Sequence, residues 1–253
     1  MFGICNLAII PLRFEPSDKS EIVSQVLFGE HFEILEQLKQ WSRIKMQYDA
    51  YEGWVDSKQY QLISESNYNQ LSDAAIILNS DLIEYITSPS NLLLPIPLGS
   101  SLSFLNNNEI NTGGFHFEGT SVSGIKDKKG LINTAFLYLS APYLWGGKTP
   151  FGIDCSGFTQ MVYKLNGYKL LRDASQQATQ GEALSFIEES EPGDLAFFDN
   201  EEGNIIHVGI IMENNYIIHA SGKVRIDRLD HLGIYNAEIN KHTHKLRVIK
   251  KII

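Results

Sequence analysis

The chain of 253 residues has no apolar run near the roughly 18 residues a membrane-spanning helix requires. It also lacks any Lys/Arg cluster longer than two or three residues, and 21 basic against 30 acidic side chains leave a formal net charge of −9. A nucleic-acid or anionic-membrane partner is therefore disfavoured, and neutral or cationic ligands fit better. Cysteine is scarce. Cys5 and Cys155 stand far apart in sequence, which makes no disulfide framework, and no CxxC or HxxxH pair is present to hold zinc. The opening MFGICNLAIIPLRFEPSDKSE lacks a basic n-region and a small-residue cleavage site. It reads as the start of a first folded domain, and the expectation is a cytoplasmic protein with free thiols and no metal or cofactor.

What the chain does have is enough apolar residue, 43%, to pack cores in two or three small domains or one large one. Over residues 1–63 the runs AIIPLRF, QVLFGEHFEILEQ, WSRIKMQ and YEGWVD are rich in β-branched and aromatic residues, with turn residues between them. In HFEILEQ, Phe32, Ile34 and Leu38 alternate with Glu33 and Glu36 in a half-buried pattern that slips once. Trp41, Ile44 and the Gly53-Trp54-Val55 run predict a small closed barrel. SNYNQLSDAA reads as a polar connection. Residues 64–122 then give further short strands, AIILNS, LIEYI, NLLLPIPLG and SLSFLN, with NNNEINTGG as a hairpin tip and GTSVSG as a linker.

From residue 123 to 253 the period changes. Leu131, Ala135, Leu137 or Tyr138, and Leu139 recur at helical intervals, and so do Phe158, Met161, Val162 and Leu165 before a Gly167 stop. DLAFFD, NIIHVGIIM, YIIHAS and KLRVIKKII follow as strands. Helices followed by an antiparallel sheet make an α+β domain.

In GIDCSGF, residues 152–158, Cys155 opens the second of these helices and Asp154 stands where an N-cap belongs. Unpaired backbone N–H groups and the positive end of the helix dipole lower a thiol pKa there, while Asp154 opposes the thiolate, so a base or cation must lie nearby. His207 and His219 sit in apolar strand segments where an unpaired imidazole is costly. They are twelve residues apart, so a hairpin loop of three or five residues centred on Glu213 sets them face to face. One imidazole then serves Cys155 as base and the other orients it. Taken singly, each of the three is more often a packed structural residue than a functional one, and a shared zinc ion is a further reading. His31, His116, His231, His242 and His244 read as surface residues.

YLWGGKTPFGIDCSGFTQMVY, PGDLAFFD, HVGIIM and IIHAS together resemble the NlpC-type family of papain-like cell-wall cysteine peptidases over residues 125 to about 250. The N-terminal runs, YEGWV above all, resemble bacterial SH3-like domains, one over 1–63 and a more divergent one over 64–122. The combination is similar to γ-D-glutamyl-L-diamino acid endopeptidases of the dipeptidyl-peptidase VI type. The resemblance implies a papain-like α+β core with Cys155 as nucleophile, His207 as base and His219 as third polar residue. It implies that Tyr143 and the Cys155 backbone N–H form the oxyanion hole, and that Trp145 lines the cleft.

The same resemblance implies cleavage after γ-linked D-Glu in free murein tri- or tetrapeptides that begin with L-Ala. Such a substrate asks for an acid to meet its ammonium and donors for its α-carboxylate. LRDASQQ offers Asp173 and Arg172, and Asp154 and Ser156 flank the nucleophile. Glu21 and Tyr51 are the matching acidic residue and tyrosine of the first domain. A blocked cleft would admit only released peptides, as in wall-peptide recycling. The competing readings are a peptidoglycan-binding protein without catalysis, which the Cys155, His207 and His219 set argues against, and an amidase or acyltransferase of the same superfamily.

Overall fold

Alternating apolar residues make the first strands: β1 (Phe2–Ile4), β2 (Ile9–Arg13), β3 (Ile22–Leu27), β4 (His31–Gln37), β5 (Trp41–Met46), β6 (Glu52–Asp56) and β7 (Gln61–Ile63). In this computed structural model, which describes residues 1–106 and 114–253, they form one sheet in the order β3-β2-β6-β5-β4-β1-β7. Ile10, Leu12, Val26, Phe32, Ile34, Ile44 and Val55 pack its core with Cys5. The slip in HFEILEQ is a register shift between Ile34 and Glu36 against β5, after which Leu38 is exposed. Gly53 in the YEGWV run lets β6 approach β2: a Cβ there would meet Leu12 Cγ at 2.7 Å and the Arg13 carbonyl at 2.9 Å.

SNYNQLSDAA is not a plain connection. Ser64 accepts a hydrogen bond from the Asn67 N–H and starts helix α1 (Glu65–Asp73), which buries Leu71 and stacks Tyr68 on Phe2. A single buried residue in a polar run leaves too little periodicity to betray a helix. After it come β8 (Ile77–Asn79), β9 (Ile83–Thr87), β10 (Leu93–Pro97), β11 (His116–Phe117) and β12 (Ser121–Ser123). SLSFLN turns as a 3-10 helix, Ser103–Asn106, because that winding brings Leu102, Phe104 and Leu105 to one core, whereas a strand would point Leu105 away. The expected NNNEINTGG tip centres on 107–113, outside the described residues.

The chain divides into two compact units, Met1–Ile125 with Trp145–Thr149, and Lys126–Leu144 with Pro150–Ile253. In the first, the inserted segment carries β13 (Lys148–Thr149), and Lys148 Nζ meets the buried Glu30 carboxylate at 3.3 Å.

The second unit has α2 (Lys129–Phe136), β14 (Gly152–Ile153), α3 (Cys155–Leu165), the short α4 (Ala174–Gln177) and strands β15 (Glu182–Leu184), β16 (Leu195–Asp199), β17 (Ile205–Met212), β18 (Tyr216–Ser221), β19 (Lys223–Asp230), β20 (Gly233–Asn236) and β21 (Lys241–Lys251). The sheet runs β15-β21-β16-β17-β18-β19-β20, all antiparallel, and β20 pairs back to β21, so β16 to β21 close on themselves. Every residue of α3 is buried, and the helix packs on β17 and β18. Phe158, Met161, Val162 and Leu165 are the apolar positions that the helical spacing marked. Among the described residues no helix is long and apolar enough to cross a membrane.

Candidate active site

The nucleophile candidate is placed by a cap. Asp154 has an extended backbone, and its Oδ1 accepts the Gly157 N–H at 2.6 Å, which starts α3 at Cys155. The same carboxylate is gripped by Arg172, whose Nη1 donates to Oδ1 at 3.0 Å and whose Nη2 donates to Oδ2 at 2.5 Å. Arg172 Nη1 also donates to Ser156 Oγ at 2.9 Å, and Ser156 Oγ donates to Asp154 Oδ1 at 3.2 Å. Arg172 is 1% exposed. Its guanidinium thus holds the cap and Ser156, a structural role that the sequence reading of Arg172 as a carboxylate ligand did not include. A buried carboxylate needs that partner, since an unpaired charge there costs several kcal/mol, of order 3–5.

The LRDASQQ segment is held to α3 by further buried bonds. Gln177 Nε2 donates to the Ser156 carbonyl at 2.9 Å, and Thr159 Oγ1 donates to Gln177 Oε1 at 2.7 Å. Asp173 is half-buried at the N-cap of α4, where its N–H donates to Gln176 Oε1 at 3.0 Å.

The Cys155 sulfur lies within hydrogen-bonding reach of the backbone N–H of Val208, the residue after His207. The helix tip and the first histidine strand therefore meet. The charge balance differs from that read in the sequence. Burial, then the Asp154 charge, pushes the thiol up to about 12 and outweighs the backbone N–H groups of Val208 and Ser156 and the more distant Arg172. Cys155 rests as a thiol, and a base must take its proton.

His207 Nε2 and His219 Nδ1 are 2.8 Å apart. The hairpin loop has three residues, Glu213–Asn215, but its centre is Asn214, because Asn214 and Asn215 take the left-handed backbone at φ 58° and 61° that asparagine tolerates. The register therefore sets His219 opposite Gly209, not His207. The two rings still share a face, because positions 207 and 209 point the same way. Gly209 has no Cβ to obstruct the diagonal; one added there would stand 2.8 Å from His219 Cβ.

Two partners of this pair lie outside the sequence expectation. Asp227 on β19 places Oδ2 3.0 Å from His219 Nε2, and Arg225 grips that carboxylate through Nε at 2.7 Å and Nη2 at 3.0 Å. His244 on β21, read from sequence as a surface residue, stacks on His207 with centroids 4.2 Å apart and planes 24° apart. His31 is likewise engaged, with its Nε2 3.2 Å from Ser72 Oγ. Burial pulls His207 well below its ordinary pKa, helped by His219 and His244. It lowers His219 too, partly opposed by Asp227, and takes His244 to about 4. All three imidazoles are neutral near pH 7.

Tyr143 is half-buried, and its phenol is pushed up to about 12 by burial first, then by Cys155 and Asp154, with Arg172 opposing. Its hydroxyl stays protonated. Cys155, Ser156, Asp154, Tyr143, His207 and His219 thus gather in the second unit. Trp145, Glu21 and Tyr51 belong to the first. There the Trp145 indole Nε1 donates to Glu21 Oε1 at 2.5 Å, and Tyr51 packs against the sheet core.

A cysteine at a helix tip, its sulfur meeting the residue that follows a strand histidine backed by a second polar side chain, fits a cysteine-type hydrolase of α+β fold. Residues 140–246 match the NlpC/P60 family model, and residues 12–59 match that of the bacterial dipeptidyl-peptidase Sh3 domain. The chain is 30% identical over 218 residues to γ-D-glutamyl-L-lysine dipeptidyl-peptidase of Bacillus subtilis strain 168, covering 79% of this chain and 72% of that protein. It is 25% identical over 248 residues to dipeptidyl-peptidase 6 of Lysinibacillus sphaericus, covering 87% and 88%. The crystal structure of an NlpC/P60 family protein from Bacillus cereus ATCC 10987 shares the fold, with a TM-score of 0.82 over 100% of this chain and 99% of that one at 19% identity. The chain belongs to the NlpC/P60 family and carries an N-terminal SH3-like domain.

Proposed function

We propose that the protein is a cysteine peptidase that hydrolyses the γ-D-glutamyl bond to a diamino acid in free murein peptides beginning with L-Ala. Its place would be the cytoplasmic recycling of wall peptides. The observation that carries this reading is the His207–His219 hydrogen bond on a strand whose next residue, Val208, meets the Cys155 sulfur. The relatives named as dipeptidyl-peptidases support the substrate class.

With His207 Nε2 taken by His219, Nδ1 is the nitrogen that accepts the thiol proton. The sulfur then attacks the γ-carbonyl carbon, and negative charge develops on its oxygen. The Tyr143 hydroxyl and the Cys155 N–H, which no helical carbonyl claims, stabilise that charge by about 3 kcal/mol each. The His207 imidazolium returns its proton to the departing amine, leaving a thioester on Cys155 and L-Ala-γ-D-Glu as its acyl group. Water, deprotonated by His207, hydrolyses the thioester and restores the thiol. Asp173, half-buried on the segment bonded to α3, is the carboxylate for the alanine ammonium.

The test is mass spectrometry of the products from L-Ala-γ-D-Glu-diamino acid and from the same peptide joined to muramic acid through its alanine. Release of L-Ala-D-Glu from the free peptide alone is expected. Turnover by Cys155→Ala, or no cleavage of either peptide, overturns the proposal.

A further inference from the structure

The relay behind the thiol does not stop at the second histidine. His219 Nε2 is 3.0 Å from Asp227 Oδ2, and the acceptor has its own anchor, the Arg225 guanidinium, whose Nη1 reaches Glu238 Oε2 at 3.1 Å. Each step is a diagonal on one sheet face: His219 lies opposite Gly209 and Arg225, while Asp227 lies opposite Ile217. We propose that Asp227 is a positioning residue that fixes the tautomers of both histidines in series, so that the lone pair of His207 sits on Nδ1. The inference rests on the peptidase reading for its kinetic consequence, but not for its chemistry.

An ionised carboxylate only accepts, so the hydrogen of neutral His219 is on Nε2 and its Nδ1 carries a lone pair. The 2.8 Å contact then requires His207 Nε2 to be the donor, which leaves Nδ1 of His207 unprotonated. Although burial works against it, the carboxylate is held below its ordinary pKa by the bonds from His219 and Arg225, and both imidazoles are neutral near pH 7. Without Asp227 the histidine pair can hydrogen-bond equally well in the reverse sense. That sense puts the proton on His207 Nδ1, where it cannot take one from sulfur. When His207 does become charged, the same carboxylate faces the positive pair. The other groups packed around His219 are His207 on β17, Arg225 on β19 and His244 on β21.

Nitrogen-15 NMR of the histidine-labelled full chain, without substrate, reads the tautomers directly. His207 and His219 are expected as Nε2–H tautomers at pH 7.5, and Asp227→Ala is expected to lose that uniformity. In kinetics the variant should lower kcat on the order of 10–100-fold with KM little changed. The limb of the pH profile that reports the imidazole should move to lower pH, because an anion that favours its protonated form is gone. If Asp227→Ala fails to fold, Asp227→Asn keeps the shape and removes the charge, and the same downward movement of the limb is expected. An Nδ1–H tautomer for His219 in the native chain overturns the proposal, as does a variant that loses rate with unchanged tautomers and pH profile. Because the tautomer measurement needs no turnover, active Cys155→Ala would sink the peptidase reading and leave this one standing.

Discussion

His219 reaches His207 across the empty side-chain position of Gly209, its direct neighbour on the adjacent strand. A histidine pair two residues out of direct register is thereby brought to 2.8 Å.

Gly209→Ala should therefore act on the chemistry before it acts on the fold. Its Cβ would meet His219 Cβ and Ile217 Cδ1, both at 2.8 Å, closer than real Cβ contacts allow. The expected outcome is a loss of kcat with a modest fall in Tm, measured by steady-state kinetics and calorimetry. Full activity would show that the ring of His219 does not need its diagonal.

Arg172→Met tests the commitment of that side chain to the cap. It leaves the Asp154 carboxylate buried without its charge partner, a change that costs about 3–5 kcal/mol in such pairs. Chemical denaturation should report a loss of that order. An intact midpoint with a raised KM would instead return Arg172 to the role of substrate ligand.

The neutral histidine cluster makes the fold acid-sensitive. His244 titrates at about 4 when folded and at its ordinary 6.5 when unfolded. Between those values the unfolded chain binds a proton that the folded chain refuses, so stability falls as pH drops through the window and is unaffected above it. His207 and His219, both lowered, add in the same direction. His244→Phe keeps an aromatic ring over His207 and removes one titrating group, so the slope of Tm against pH between 6.5 and 4 should flatten by about one proton. An unchanged slope would place the acid-labile group elsewhere.

N-acetylating the alanine of the substrate removes the charge that Asp173 is proposed to meet. Cleavage should weaken by orders of magnitude, and Asp173→Ala should make the enzyme indifferent to acetylation at a low common rate. Equal turnover of both substrates by the native enzyme rules out the ammonium site.

Much of the candidate site was legible because its residues sit on strong local patterns. Cys155 lies between a cap residue and an apolar helix, and His207 and His219 interrupt otherwise apolar strands. The slip in HFEILEQ likewise announced the bulge after Ile34. Asp227 was hidden for the opposite reason. KVRIDRLD carries charges at nearly every second position, a pattern that reads as solvated, and only the pairing of β18 with β19 turns Asp227 inward. His244 was hidden by β21, whose inward side is set by the return pairing with β20, a contact between strands that alternation alone cannot assign. The bond of Arg172 to Asp154 was hidden because one-dimensional proximity to Asp173 says nothing about a carboxylate eighteen positions away.

Asp154 starts the helix, neutralises the guanidinium and stands beside the thiol through a single carboxylate. Losing it would shift the sulfur and loosen the scaffold in one stroke. On the proposed peptidase reading, Cys155 and His207 serve the chemistry alone, whereas Asp154 also serves the architecture. A lineage that dropped the reaction and kept the fold is therefore expected to shed the first two and retain the acid next door.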